Sequence, residues 1–225
     1  MRSISFASLP IIASLVAATT ASSIAAADPM SLGFRVGGYG FRRADSSTLA
    51  GENSAWDLCR MNGLGLFGTR TIKGPLFLEA SLDTYFSTAQ AQPNDLPLDR
   101  QSALVSVAAG ARMEVTSWLH GYAQLGIGME LASLSVPYAN STIHDDKVMP
   151  DGFLGIGGDI RIAKGTYIGA NLRTLVMGNF DYDPQRLQMT SANSNQWVAT
   201  PKSSDVFAAS PSLAAQGQFF IRHDL

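Results

Sequence analysis

The chain has 225 residues, a formal charge of −2 and only 15% charged residues, where soluble domains average about 25%. This is the length of one domain, with a surface poor in the groups that hold water. With no excess of basic residues, nucleic acid is excluded as a partner.

The amino-terminal segment reads as an address. Arg2 gives a positive start, Leu9 to Ala18 form a short apolar core, and Ala25-Ala26-Ala27 precede Asp28, the small-residue pattern of a secretory cleavage site. The apolar core is rich in Ala and Ser and falls short of the ~20 apolar residues that a spanning helix needs. Residues 1–27 are therefore read as a cleavable signal peptide and 28–225 as the mature domain. No Cys follows the apolar core, so a lipidated amino terminus is not expected. Past residue 28 there is no second long apolar run, and any crossing of a membrane falls to strands. The lone Cys59 can form no intramolecular disulfide, and it falls on a predicted wall strand, where no reactive thiol is expected.

Alternation of apolar and polar residues then predicts strands at about 31–43, 56–70, 76–87, 102–115, 118–135, 152–162, 167–178 and 211–225. Tight turns are predicted at Lys73-Gly74-Pro75, Thr116-Ser117 and Lys164-Gly165, and long polar loops at 44–55, 88–101, 136–151 and 179–210. An even number of strands, with short and long connections in alternation, predicts an all-β fold: an eight-stranded antiparallel up-and-down transmembrane β-barrel.

Because successive side chains on a strand point to opposite faces, each strand can be split into two rows. The first sets Leu32, Phe34 and Val36 against Arg35 and Tyr39. The second is the least regular, since Arg60 and Asn62 share a face with Leu64 and Leu66, which suggests a bulge there. The third sets Leu76, Leu78, Ala80 and Leu82 against Phe77, Glu79, Ser81, Asp83 and Tyr85. The fourth gives an apolar row from Ala103 through Val105, Val107 and Ala109 to Val115, opposite Leu104, Ser106, Ala108, Gly110, Arg112 and Glu114. In the fifth, Leu125, Ile127 and Met129 oppose His120, Tyr122, Gln124 and Glu130. In the sixth, Leu154, Ile156 and Ile160 oppose Asp159 and Arg161. The seventh sets Ile168, Ala170 and Leu172 against Asn171 and Arg173, and the eighth Leu213, Phe219 and Ile221 against Gln216, Gln218 and Arg222.

The polar rows carry five acids (Glu79, Asp83, Glu114, Glu130, Asp159) and five arginines (Arg35, Arg112, Arg161, Arg173, Arg222). Charges tolerate burial only when paired and hydrogen-bonded, so an even balance predicts that these ten groups form a polar network filling the narrow lumen of an eight-stranded barrel. The apolar rows then face lipid, where an Arg or Lys near midplane costs roughly 2–4 kcal/mol. The opposite orientation, a soluble lipocalin-like binding barrel, would place Lys on the charged faces, and the bases there are all Arg. Glycine-rich runs such as Gly37-Gly38, Gly126 and Gly128, and Gly155, Gly157 and Gly158 read as structural, because no helix follows them to complete a phosphate loop. Trp56, Tyr85, Phe86, Trp118, Tyr138, Tyr167 and Phe180 fall near strand ends, where interfacial girdles place aromatics.

The leader, the eight strands, the charged inward rows and segments such as GYAQLGIGMEL and FLGIGGDIRI resemble the small OmpA/OmpX-type outer-membrane β-barrels of Gram-negative bacteria, across nearly the whole mature chain. The resemblance implies an outer-membrane location surrounded by outer-membrane lipids and lipopolysaccharide. It also implies the barrel-assembly machinery as folding partner, and an extracellular ligand at the loops. Such barrels usually finish on an aromatic residue; this chain ends Phe219-Phe220-Ile221-Arg222-His223-Asp224-Leu225, with an apolar residue in the phase of Phe219 and Ile221. No peptidoglycan-binding domain is expected after the eighth strand.

Some barrels of this kind act on lipids with His, Ser and an acid at the outer rim. Here His120 and His223 fall at the turn end. Only His144 falls on the loop side, beside Asp145 and Asp146 and with no strand-mounted Ser to activate. The expectation is a non-enzymatic protein with no cofactor and no metal, the His144 cluster being solvated. Its lumen is expected to be plugged and its function to lie in exposed loops, above all 179–210 with Asn193, Asn195, Trp197 and Pro201. A narrow pore is the alternative; a lipid-modifying enzyme ranks lower.

Overall fold

The computed structural model describes residues 30–41, 60–89, 98–138, 141–182, 187–193, 196–201 and 207–225. The predicted signal peptide, Trp56, Cys59 and the predicted loop at 44–55 lie outside the described residues.

The strands are β1 (Met30–Phe41), β2 (Arg60–Lys73), β3 (Leu76–Ala89), β4 (Leu98–Thr116), β5 (Leu119–Tyr138), β6 (Ser141–Ala163), β7 (Thr166–Tyr182), β8 (Leu187–Asn193), β9 (Gln196–Pro201) and β10 (Phe207–Asp224). Eight of them close into a barrel in the order β1-β10-β7-β6-β5-β4-β3-β2, each antiparallel to its neighbours, while β8 and β9 form a separate two-stranded ribbon. The seam is the β1–β10 ladder, from Ser31 opposite Asp224 to Phe41 opposite Ala214. Closure leaves the barrel no free edge.

Three tight turns join β2 to β3, β4 to β5 and β6 to β7, at the predicted positions. Each carries a register shift just before it, at Thr71/Lys73, Glu114/Thr116 and Arg161/Ala163. Gly74 and Gly165 adopt φ of +57° and +71°, a conformation that side-chain-bearing residues rarely take.

The direction of the apolar rows decides the kind of barrel. Leu125, Ile127, Leu172 and Phe219 are 65, 68, 65 and 71% exposed on the outer wall, whereas Arg35, Asp83 and Glu130 are 1, 0 and 0% exposed in the lumen. An apolar exterior around buried charges is a transmembrane wall, and it rules out the soluble lipocalin-like arrangement.

Several expectations are corrected by the register. No irregularity occurs at Leu58 to Phe67 where the strand is described: β2 pairs continuously with β1 from Arg70 opposite Met30 to Arg60 opposite Gly40. Its phase puts Met61, Phe67 and Thr69 inward and leaves Leu64 and Leu66 exposed. The strand looks irregular in sequence because Gly63 and Gly65 occupy the inward row between large residues. Tyr85 and Tyr167, expected in the girdle, are buried in the lumen, while Phe86 and Trp118 are exposed on the outside. The side chains of Tyr138 and Phe180 lie outside the described residues. The segment 136–151 is no open loop: the β5–β6 ladder runs unbroken to Tyr138 opposite Ser141. β6 pairs with β7 only from Gly152 onward, so the upper part of this hairpin stands above the barrel as a ribbon. Part of 179–210 is likewise the β8–β9 ribbon.

Candidate functional site

The lumen is the only place where this chain concentrates buried charge among the described residues, and its layout follows from the two-residue period. Large inward side chains have glycine as their direct partner on the next strand: Phe67 faces Gly33, Phe77 faces Gly110, Phe153 faces Gly126 and Phe220 faces Gly169. A Cβ built on any of these glycines would run into the facing ring. The glycines thus make room for aromatic rings laid across the wall of a barrel too narrow for two large side chains side by side.

At mid-height, Arg35 makes a bidentate pair with Asp83, its Nε donating at 2.6 Å, and its Nη1 donates to Glu79 at 2.9 Å. Arg173 Nη2 donates to the same Glu79 oxygen at 2.7 Å. The Gln124 amide, turned with its nitrogen toward Glu79, closes the ring by accepting from Arg173 at 2.9 and 3.0 Å. Two guanidiniums therefore face two carboxylates, each with several charge-assisted hydrogen bonds, the condition under which buried ions are tolerable. Arg173 also lies over the Phe153 ring at 4.4 Å and Arg35 over Phe67 at 5.4 Å, positions that a planar, weakly hydrated guanidinium favours.

Toward the loop end, Glu130 Oε1 accepts from Arg100, Ser102 and, at 3.3 Å, the Tyr39 hydroxyl. The lumen also holds a cluster of buried apolar side chains that includes Met61, Leu104, Leu175 and Met177, Leu104 lying directly opposite Glu130, with Leu134 also fully buried. Toward the turn end, Arg222 donates to Asp159 at 3.2 Å and to Asp224 at 2.6 Å. His120 Nδ1 lies 2.9 Å from Asp159, and the Arg222 guanidinium stacks 3.8 Å from the Tyr167 ring centroid.

Of the ten residues predicted for the network, Arg35, Glu79, Asp83, Glu130, Asp159, Arg173 and Arg222 are buried and ion-paired. Arg112 is half-buried over Phe77 at 5.1 Å. Glu114 and Arg161 are exposed. They keep the inward phase, but each sits beside the register shift before its turn, where the barrel mouth opens to water.

Two residues belong to the lumen that the sequence pattern assigns to loops. Arg100 lies on β4 in the phase of Ser102 and Ser106, and Asp151 on β6 in the phase of Phe153 and Asp159. Extending the alternation by one or two residues past the assumed strand ends finds both. Asp151 is buried with neither carboxylate oxygen hydrogen-bonded, and Glu130 Oε2 is also without a partner. No group of three or more His, Cys, Asp or Glu capable of holding a metal occurs among the described residues. His144 and Asp146 lie on one face of the β5–β6 ribbon and Asp145 on the other, where Asp145 pairs with Lys147 at 3.0 Å.

Solved structures give the context for this geometry. A major outer membrane protein from Thermus thermophilus aligns with a TM-score of 0.53 at 11% identity, over 89% of this chain and 100% of that one. Neisserial surface protein A aligns with a TM-score of 0.50 at 11% identity, over 88% of this chain and 96% of that one. The fold is that of the small OmpA/OmpX-type outer-membrane β-barrels. No family model matches the sequence, and no curated protein matches it either. The likeness is one of architecture, carried by alternation and register rather than by shared residues.

Proposed function

We propose that this protein is a non-enzymatic integral protein of a Gram-negative outer membrane, closed to solutes, whose specific work is done by the ribbons and loops at its loop end. The observation that carries the reading is the filled lumen. Ion pairs spread along the lumen and a cluster of buried apolar side chains between them support a barrel closed to solutes. Beyond the apolar belt, the β5–β6 ribbon carries exposed His144, Asp146 and Val148, a surface suited to contact with lipopolysaccharide, polysaccharide or another cell. In this orientation the three tight turns face the periplasm.

Planar-bilayer recording of the purified barrel tests the closed state: no stable unitary current is expected, and a reproducible current would overturn it. Protease treatment of intact cells tests the sidedness, with cleavage expected within 179–210 and none at Lys73 or Lys164.

A narrow pore is the second reading, favoured by one observation. Buried oxygens of Asp151, Glu130, Asn171, Gln216 and Gln218 have no protein hydrogen-bond partner, and polar atoms of that kind are commonly met by water. A current that changes on Arg35→Ala would favour it.

A further inference from the structure

Five carboxylates and four arginines are buried among the described residues. Glu79, Asp83, Glu130 and Asp159 are each ion-paired with an arginine, which leaves Asp151 over. Asp151 is 6% exposed, and neither of its carboxylate oxygens has a hydrogen-bond partner. The neighbouring cations are engaged elsewhere. Arg173, on the adjoining β7, donates to Glu79 and Gln124 and not to Asp151. Lys147, two inward positions along β6, pairs with Asp145. A buried carboxylate can only accept hydrogen bonds, and without a counter-charge its burial is costly.

The register shows where this carboxylate lies. Asp151 is directly opposite Gly128 on β5, and a Cβ built on Gly128 would stand 2.8 Å from both carboxylate oxygens. The carboxylate is therefore laid over the glycine, in the space that a side chain would fill. On the other flank of Gly128 its direct partner is Ser106 of β4, buried, with its hydroxyl 2.8 Å from that of Ser81. Glu130 follows Gly128 on the same inward face, diagonal to Asp151, a position about 7–8 Å away between backbones. Its Oε1 accepts from Arg100, Ser102 and Tyr39, while Oε2 is buried without a partner. Oxygen-bearing side chains from three adjacent strands thus surround one glycine. The half-buried Arg112 is six residues from Ser106 along β4, about 20 Å toward the turn end.

We propose that the recess over Gly128 binds one monovalent metal cation, sodium or potassium, through the Asp151 carboxylate, with Glu130 Oε2 and the Ser106 hydroxyl as further oxygen ligands. A single positive charge matches the one carboxylate left over. Carboxylate, hydroxyl and water oxygens suit hard cations, whereas transition metals draw on imidazole and thiolate. A calcium ion takes about six to eight oxygens and would exceed the uncompensated charge by one. Because β6 pairs with β7 only from Gly152 onward, Asp151 lies at the rim where the wall between these strands begins, and the ion enters from the loop end. The site requires no path through the barrel.

Urea unfolding of the full barrel in phosphatidylcholine vesicles tests the site, with sodium, potassium or tetramethylammonium chloride at one ionic strength and neutral pH. The folding constant of the wild type is expected to be about tenfold higher with sodium or potassium at ten times the dissociation constant than with the bulky organic cation. Asp151→Asn is expected to respond less than about twofold, to be more stable than the wild type in tetramethylammonium chloride and to lose that advantage in sodium chloride. Sodium NMR gives a direct readout: the wild type is expected to broaden the resonance, potassium to reverse the broadening, and Asp151→Asn to abolish it. Heat-modifiable gel migration verifies folding, and Ser106→Ala, expected to weaken the sodium response, serves if Asp151→Asn does not fold. Equal stability of the wild type in all three salts, an undiminished sodium response in Asp151→Asn, or saturation by calcium with none by sodium would each overturn the proposal. So would an infrared carboxylic-acid band in sodium chloride that Asp151→Asn removes, since Asp151 would then hold a proton in place of the metal ion.

Discussion

Arg35 is the residue on which most of the lumen depends, since its guanidinium engages both Asp83 and Glu79. Arg35→Ala leaves two buried carboxylates short of a partner and is expected to cost about 3–5 kcal/mol, read from urea unfolding of the barrel in lipid. Asp151 makes the opposite case. With no hydrogen bond to its buried carboxylate, Asp151→Asn removes an unpaired charge, and a gain of about 1 kcal/mol or more at neutral pH is expected from the same measurement. The glycines supply the third test. Gly126→Val would place a branched side chain against the Phe153 ring and the Val107 carbonyl, and overpacking of this kind costs about 1–3 kcal/mol. What the sequence makes legible at this scale is the face a residue occupies. Arg35, Glu79 and Arg173 lie where counting by two puts them. What it leaves out is depth: Glu114 and Arg161 have the inward phase yet emerge at the mouth, because nothing in a two-residue period says how far along the strand the buried layer extends.

Among the elements, alternation locates every barrel strand, yet it misplaces the loop-side ends. The polar run Asp99-Arg100-Gln101 reads as a connection, although β4 begins at Leu98. The run from Ser141 to Pro150 reads as a loop, although it pairs residue by residue with β5. Above the bilayer a strand has no apolar face to advertise it, so its ladder hydrogen bonds continue without a hydrophobic signal. β6 in this stretch pairs with β5 alone, and β5 pairs with β4 only as far as Ser135, so the tip of the hairpin beyond Ser135 and His144 is separable from the barrel. Replacing residues 135–144 by a short Asn-Gly turn, which joins the directly paired Leu134 and Asp145, is expected to leave heat-modifiable migration intact while weakening whatever binding the ribbon provides.

Taken as a whole, the molecule is a cylinder whose inside is ionic and whose outside is oil-like, the inverse of a water-soluble domain. Spin labels at Val107 and Ile127 are therefore expected to report collisions with lipid-soluble oxygen and none with an aqueous relaxant. The geometry of the seam carries a temporal consequence. β1 and β10 are held together by Ser31 opposite Asp224, and Arg222 near the end of the chain reaches both Ser31 and Asp159. The first strand to leave a ribosome thus stays unsatisfied until the last arrives, since its outer edge has no other partner. An incomplete chain would carry an open hydrogen-bonding edge, so closure of the cylinder waits on its last strand.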